Sequence, residues 1–252
     1  MGLFFRKKRS LFRFRKKEKK KKVFHNKKGF EDVFIDQKTG LKTFGSYVDL
    51  TLLDPRATSK NIEELVRLAN DNKYYSVVVP PVFVQEAKRL VQSVSYGAIK
   101  VSSVVSFPLG NATISAKVKE IRSLVKKGAD EIEICLNLHY VKSANWYMVK
   151  REIQKVVRAC KKRVVKLVIE TCYLTVEEME RILKIAMKSR VDYIMTSTGY
   201  APIGATVEVV ERLSSLSNGK VGIKASGGIK TKLEAESFLR LGATRIGTSR
   251  II

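Results

Sequence analysis

Four ionisable residues in this chain sit inside short β-branched and aliphatic runs: Asp49 in YVDLTLL, Glu133 in DEIEIC, Lys166 in RVVKLVIE and Lys224 in KVGIKA. Acids and lysines brought together suit proton transfer. A second set is small and polar: TSTG ending at Gly199, SGG at Ser226, Gly227 and Gly228, and GTSR with Thr248, Ser249 and Arg250. Glycines let a phosphate approach backbone N–H groups closely, so the last two loops together read as a phosphate cup. Arg250 either strengthens phosphate binding or points to solvent. In VDYIMTSTG a working side chain is expected where the apolar run opens into the polar turn, and Met195 stands there. The only histidines, His25 and His139, read as incidental, and no catalytic triad or metal cluster is evident.

Something must carry these residues to one place. Strand-like runs lie near 46–53, 75–79, 99–107, 131–137, 163–170, 191–197, 220–225 and 244–248. Between them, at 58–72, 82–95, 113–127, 143–160, 174–189, 205–216 and 231–241, Lys and Glu alternate with Leu, Ile and Val at helical spacing. Thr58, Thr113, Thr175 and Thr206 stand where N-caps belong. The near-continuous apolar strands imply a parallel sheet buried on both faces. Eightfold strand–helix alternation favours a closed (β/α)8 TIM barrel over an open doubly wound sheet. The glycines of KKGADEIEI and RLGATRIGT read as helix C-caps leading into the next strand. Barrel chemistry sits at the C-terminal ends of the strands, where the residues above cluster.

The blocks YVDLTLL, SFPLG, GADEIE, VKLVIET, TSTG, GATVE, VGIKASGGI and GATRIGTS occur in that order from Tyr47 to Ser249. Together they resemble the 2-deoxyribose-5-phosphate aldolase family. The resemblance implies a class I aldolase barrel that needs no metal or cofactor, acting through a protonated Schiff base on a lysine just before TSTG. That position is Met195 here, and a thioether cannot form an imine. The family's aspartate in the fourth run aligns with Glu133, one methylene longer, which could still act as acid or base. Lys166 and Lys224 match two family lysines, Lys224 the one whose charge activates the reactive lysine. Their alternative role is to pair Glu133, Glu170 or Asp49. Gly199, Gly227, Gly228 and Ser249 match the phosphate end, while Arg250 replaces a small hydroxyl residue. The sequence ends at Ile252, without the closing helix usual in such barrels, so apolar surface or a partner is expected there.

Two functions therefore stand open. One is an inactive or strongly impaired homologue, a pseudoenzyme serving as a binding or structural module. The other is an active aldolase that cleaves 2-deoxy-D-ribose 5-phosphate to acetaldehyde and glyceraldehyde 3-phosphate through a relocated Lys224 or Lys166. A phosphorylated-sugar ligand and a homodimer are compatible with both.

The formal net charge is +25, and residues 1–28 hold fourteen of the 49 Lys/Arg against one of the 24 acids. Like charges at this density repel, so residues 1–44 are expected to form a disordered extension ahead of a barrel at 45–252. Three uses of the arm compete. It is a solvated tail, or Arg6, Lys7, Lys8, Arg9, Arg13, Arg15, Lys16 and Lys17 meet RNA, DNA or the ribosome, with interspersed phenylalanines stacking on bases. Alternatively the same residues adsorb to an anionic membrane. No apolar run is long enough for a transmembrane helix. Cys135, Cys160 and Cys172 are odd in number, and two of them lie in apolar stretches, which suits reduced thiols and a cytoplasmic protein.

Overall fold

The computed structural model describes residues 33–36 and 40–252. The basic arm, including Arg6 to Lys17, lies outside the described residues. A two-stranded antiparallel hairpin, β1 (Val33–Asp36) and β2 (Gly40–Thr43), falls within the stretch read as an extension. Phe44 and Tyr47 already belong to the core.

Eight parallel strands then close into a barrel: β3 (Val48–Thr51), β4 (Ser76–Val79), β5 (Lys100–Val105), β6 (Glu131–Cys135), β7 (Val164–Val168), β8 (Tyr193–Met195), β9 (Gly222–Ser226) and β10 (Arg245–Thr248). Each pairs with its sequence neighbours, and β10 returns to β3, with Gly247 opposite Asp49. The outer helices are α1 (Ser59–Asp71), α2 (Val84–Ser95), α3 (Ile114–Lys127), α4 (Leu138–Lys142), α5 (Trp146–Ala159), α6 (Val176–Lys188), α7 (Val207–Ser217) and α8 (Lys232–Arg240). The expected TIM barrel is therefore present. Among the described residues no helix is long and apolar enough to cross a membrane.

The expected caps are at work. Thr113, Thr175 and Thr206 accept from the backbone N–H of Ala116, Glu178 and Val209, while Thr58 N and Oγ1 both donate to Asn61 Oδ1. Gly128 and Gly242 adopt φ of 96° and 103°, the left-handed turn that ends α3 and follows α8. One expectation changes: the helix read over 143–160 begins at Trp146, because Asn145 caps it, and the shorter α4 precedes it under the cap of Asn137.

The side chains alternate in and out along each strand. Outward residues such as Val165, Leu167, Ile194 and Ile223 join helix residues Ile62, Ile121, Ile153 and Ile182 in one apolar layer. The sheet is buried on both faces, as expected, but the inward face carries a layer of charge beside apolar residues such as Cys135, Val168 and Met195. Asp49, Glu131, Glu133, Lys166, Lys224 and Arg245 all point into the barrel and are at most 4 % exposed. At the chain's end, Tyr74 Oη donates to Ile252 O at 2.9 Å and accepts from Ile252 N at 3.0 Å, while Ile251 is exposed.

Candidate functional site

Three carboxylates and three cations fill the barrel interior. Lys166 Nζ lies 2.6 Å from Asp49 Oδ2, 2.6 Å from Glu131 Oε2 and 3.1 Å from Glu133 Oε1. Lys224 Nζ lies 2.5 Å from Glu133 Oε1 and 2.9 Å from Asp49 Oδ2. Arg245 donates through Nη1 to Asp49 Oδ1 at 2.9 Å and through Nη2 to Tyr193 Oη at 3.2 Å, its guanidinium over the Tyr75 ring. Ser76 Oγ donates to Asp49 Oδ1 at 2.6 Å. Gly247 makes room for this: a Cβ there would stand 2.8 Å from Lys224 Cε.

The electrostatics follow from this pairing. Burial alone would raise Asp49, but Lys166, Lys224 and Arg245 outweigh it and hold the carboxyl well below the ordinary 3.8. Burial and the Asp49 charge push Glu133 up, yet Lys224 and Lys166 bring it below the ordinary 4.5. Burial disfavours the charge on Lys166, and Asp49, Glu131 and Glu133 reverse that, leaving its pKa above that of an ordinary lysine. Both carboxylates are ionised at neutral pH, and Lys166 is protonated.

Above this layer a cavity of about 520 Å³ opens at the C-terminal ends of the strands. Glu133 and Met195 are part of its lining, and the fully buried Lys166 and Lys224 are not. Met195 is 4 % exposed and packs with Cys135, Val168 and Phe107, its backbone in register with Val168 and Lys224. Glu170, a possible lysine partner on sequence grounds, pairs with neither Lys166 nor Lys224. Its carboxylate instead accepts from Thr198, at 3.1 Å from N and 2.5 Å from Oγ1, and so shapes the TSTG turn.

The small residues come together at one side of the mouth. Gly199, Gly227 and Gly228 have φ of 86°, 87° and 81°, and with Ser249 and Arg250 they line the cavity. Thr196 Oγ1 donates to Ser226 O at 3.0 Å and accepts from Ser226 N at 3.1 Å, locking β8 to β9 beneath the glycines. Lys230 lines the same cavity, so two cations border this rim. Glycine conformation and side-chain charge here suit an anionic group of phosphate size.

Several contributors were not singled out from the sequence. Glu131 and Arg245 complete the interior charge set, and their signal was the two-residue alternation that puts them on the same face as Glu133 and Thr248's neighbour Gly247. Gly204 backs the cup, since a Cβ there would collide with Gly227 O; it lies in the GATVE block. Tyr200 donates through Oη to Leu53 O at 3.3 Å and meets Phe107 edge-on at 5.4 Å, narrowing the mouth. Nothing in the sequence signals that contact across 147 residues.

Comparison with known proteins agrees with this geometry. Residues 33–246 match the model of the DeoC/LacD family aldolases. A deoxyribose-phosphate aldolase of Thermoanaerobacter sp. (strain X514) is 42% identical over 205 residues, which is 80% of this chain and 91% of that protein. The Deinococcus radiodurans deoxyribose-phosphate aldolase is 35% identical over 207 residues, covering 82% and 93%. Among solved structures, a tetrameric deoxyribose phosphate aldolase from Aeropyrum pernix superposes with a TM-score of 0.75 at 32% identity, over 81% of this chain and 86% of that one.

Proposed function

The chain belongs to the DeoC/LacD aldolase family, and we propose that within it this barrel retains the phosphorylated-sugar pocket while lacking the Schiff-base step. The observation that carries the reading is Met195, a thioether lining the cavity where imine chemistry would need an amine. The ligand it would hold is 2-deoxyribose 5-phosphate or a close analogue, its phosphate at Gly199, Gly227, Gly228, Ser249 and Arg250.

A relocated nucleophile is the competing idea, and the geometry works against it. Lys166 faces three carboxylates and has no solvent exposure, and its raised pKa keeps the amine protonated and non-nucleophilic. Lys224 lies within 2.9 Å of two carboxylates, also without exposure. Either lysine would have to leave a buried ion-pair set to reach a carbonyl.

The floor also explains what an amine at 195 would do. The three carboxylates are already matched by Lys166, Lys224 and Arg245, so a further ammonium would be in excess. Neighbouring cations and burial both favour a neutral amine, the state that attacks a carbonyl. Methionine removes that group with little change in length or apolar packing.

Residues 1–28 read as a targeting arm for this silent barrel, with RNA, DNA, the ribosome or an anionic membrane as its partner in the cytoplasm. Homodimerisation remains part of the proposal, in keeping with the tetrameric relative.

Retro-aldol turnover tests the reading. Acetaldehyde release from 2-deoxyribose 5-phosphate is expected at background for the native chain and above it for Met195→Lys, or for Met195→Lys with Glu133→Asp. Native turnover within about tenfold of either variant would overturn it, since losing an oriented nucleophile costs several orders of magnitude.

A further inference from the structure

The outer surface of the barrel is electrically lopsided. On α3, Lys119, Arg122 and Lys126 are exposed; on the neighbouring α5, so are Lys150, Arg151, Lys155 and Arg158. Lys161 and Lys162 extend the second row past the end of α5. None of these nine has an ion-pair partner among the described residues.

The acids that would normally intersperse them are buried or half-buried. Between Asn111 and Arg163 the carboxylates are Glu120, Asp130, Glu131, Glu133 and Glu152, and none is exposed. Glu120 accepts from Ser106 N at 2.9 Å, and Asp130 pairs with Lys88 at 2.6 Å. Glu152 pairs with Lys117 beneath the surface, where Lys117 also donates to Cys135 O at 2.7 Å. The opposite side differs: α1, α7 and α8 expose Glu63, Glu64, Glu208, Glu211 and Glu234 among their cations.

The spacing is regular as well. Lys119, Arg122 and Lys126, like Arg151, Lys155 and Arg158, follow steps of three and four, which align on one helix face about 5–6 Å apart. Each row is about 10 Å long at the helical rise of 1.5 Å per residue. The two helices pack together, and packed helix axes lie roughly 8–10 Å apart.

From this we infer that the α3–α5 face is a docking surface for nucleic acid, bound through its phosphates without base readout. A duplex carries one charge per ~1.7 Å of axis, a density that two parallel cation rows can engage at several points. A membrane surface fits less well, because adsorption of surface helices needs apolar side chains to insert. Here the apolar residues of the two helices, including Ile121, Leu124, Val149 and Ile153, are buried in the core, and Tyr147 is the large apolar residue left exposed. The inference concerns the barrel wall, on residues distinct from those of the pocket and of the arm, and does not rest on the proposed loss of catalysis.

The test uses the full chain and a short fluorescein-labelled DNA duplex, with anisotropy titrations over a range of KCl concentrations. One variant neutralises the face: Arg122→Gln, Lys126→Gln, Arg151→Gln, Lys155→Gln and Arg158→Gln. A control removes the same charge elsewhere, by Lys60→Gln, Arg67→Gln, Arg212→Gln, Lys220→Gln and Arg240→Gln. The face variant is expected to bind tenfold or more weakly, with a salt slope reduced by up to ~4.5, since each duplex phosphate contact contributes about 0.9. The control is expected to stay within about threefold of the native chain, as its charges lie outside the contact. Equal weakening of both variants would overturn the inference by reducing it to net charge. Native affinity in the face variant would overturn it by assigning binding elsewhere, such as the arm. Loss of binding to phosphatidylserine vesicles with duplex affinity unchanged would overturn it in favour of a membrane.

Discussion

The floor and the rim of the same cavity follow different rules. On the rim, three glycines in the left-handed region, a serine and two cations leave backbone and charge facing the opening. On the floor, charge is abundant but consumed internally, with Lys166 and Lys224 saturated by carboxylates and sealed from solvent. A rim of this kind can bind an anion without chemistry, because gripping requires only donors and space. Imine formation requires one free, neutral amine, and a single side chain decides whether it exists. The two halves can therefore differ independently: the rim presents glycines and cations to the opening, while position 195 presents a thioether.

Separating floor from rim by mutation gives a ranked set of outcomes. The largest effect belongs to the floor. Lys166→Met leaves Asp49, Glu131 and Glu133 with two cations, and unfolding in urea is expected to show a loss of about 3–5 kcal/mol, the usual result of orphaning a buried charge. Met195→Leu, in the same cavity but outside the ion-pair set, is expected to lose less than ~1.5 kcal/mol. Equal losses would erase the distinction between a charged layer and an apolar plug above it.

Next comes Gly227→Ala. At φ of 87° its Cβ would stand 3.0 Å from Gly204 Cα, and left-handed strain alone costs about 1–2 kcal/mol. Calorimetric titration with 2-deoxyribose 5-phosphate should show affinity falling by tenfold or more, about 1.4 kcal/mol. The interior network should remain intact by its acid stability.

Acid stability itself is the third test. Asp49 and Glu133 have folded pKa values below the ordinary 3.8 and 4.5. Their contribution is full above those ordinary values and is lost as pH falls through the depressed folded ones. Midpoint denaturant concentration should hold near pH 6 and fall steeply below about pH 4, and Glu133→Gln should flatten part of that fall. An unchanged profile in Glu133→Gln would mean that its carboxylate carries no linked stability. The smallest effect is at the exposed rim: Arg250→Gln should weaken phosphate-sugar binding by about 1 kcal/mol, roughly fivefold, because solvent screens the pair.

Much of this was legible in the sequence for particular reasons. The eight strands showed because β-branched runs alternate with helical periodicity, and threonines marked the helix starts. The glycines within the TSTG and SGG turns marked the cup, since few other residues accept their backbone angles. Met195 was conspicuous because its position in VDYIMTSTG called for a polar group. What stayed hidden depends on three-dimensional closure. Alternation gave the inward direction of Glu131 and Arg245, but their approach to 3.7 Å arises only because β10 closes the barrel. The Tyr200–Leu53 link spans the mouth for the same reason. The charged face of α3 and α5 was submerged in the overall +25, and became distinct only once each acid of that segment proved buried or half-buried.

We propose that the cavity binds but offers no nucleophile, and borohydride trapping separates that from a working imine enzyme. The protein is incubated with 2-deoxyribose 5-phosphate and reductant, then digested and mapped by mass spectrometry. The native chain should give no reduced adduct within the barrel, while Met195→Lys should carry one at the substituted position. Raising the pH toward 9 should not change the native result, because Lys166 holds its proton above the ordinary lysine value of 10.5. A native adduct on Lys224 or Lys166 would contradict the account and identify a lysine that leaves its ion pairs to do the chemistry.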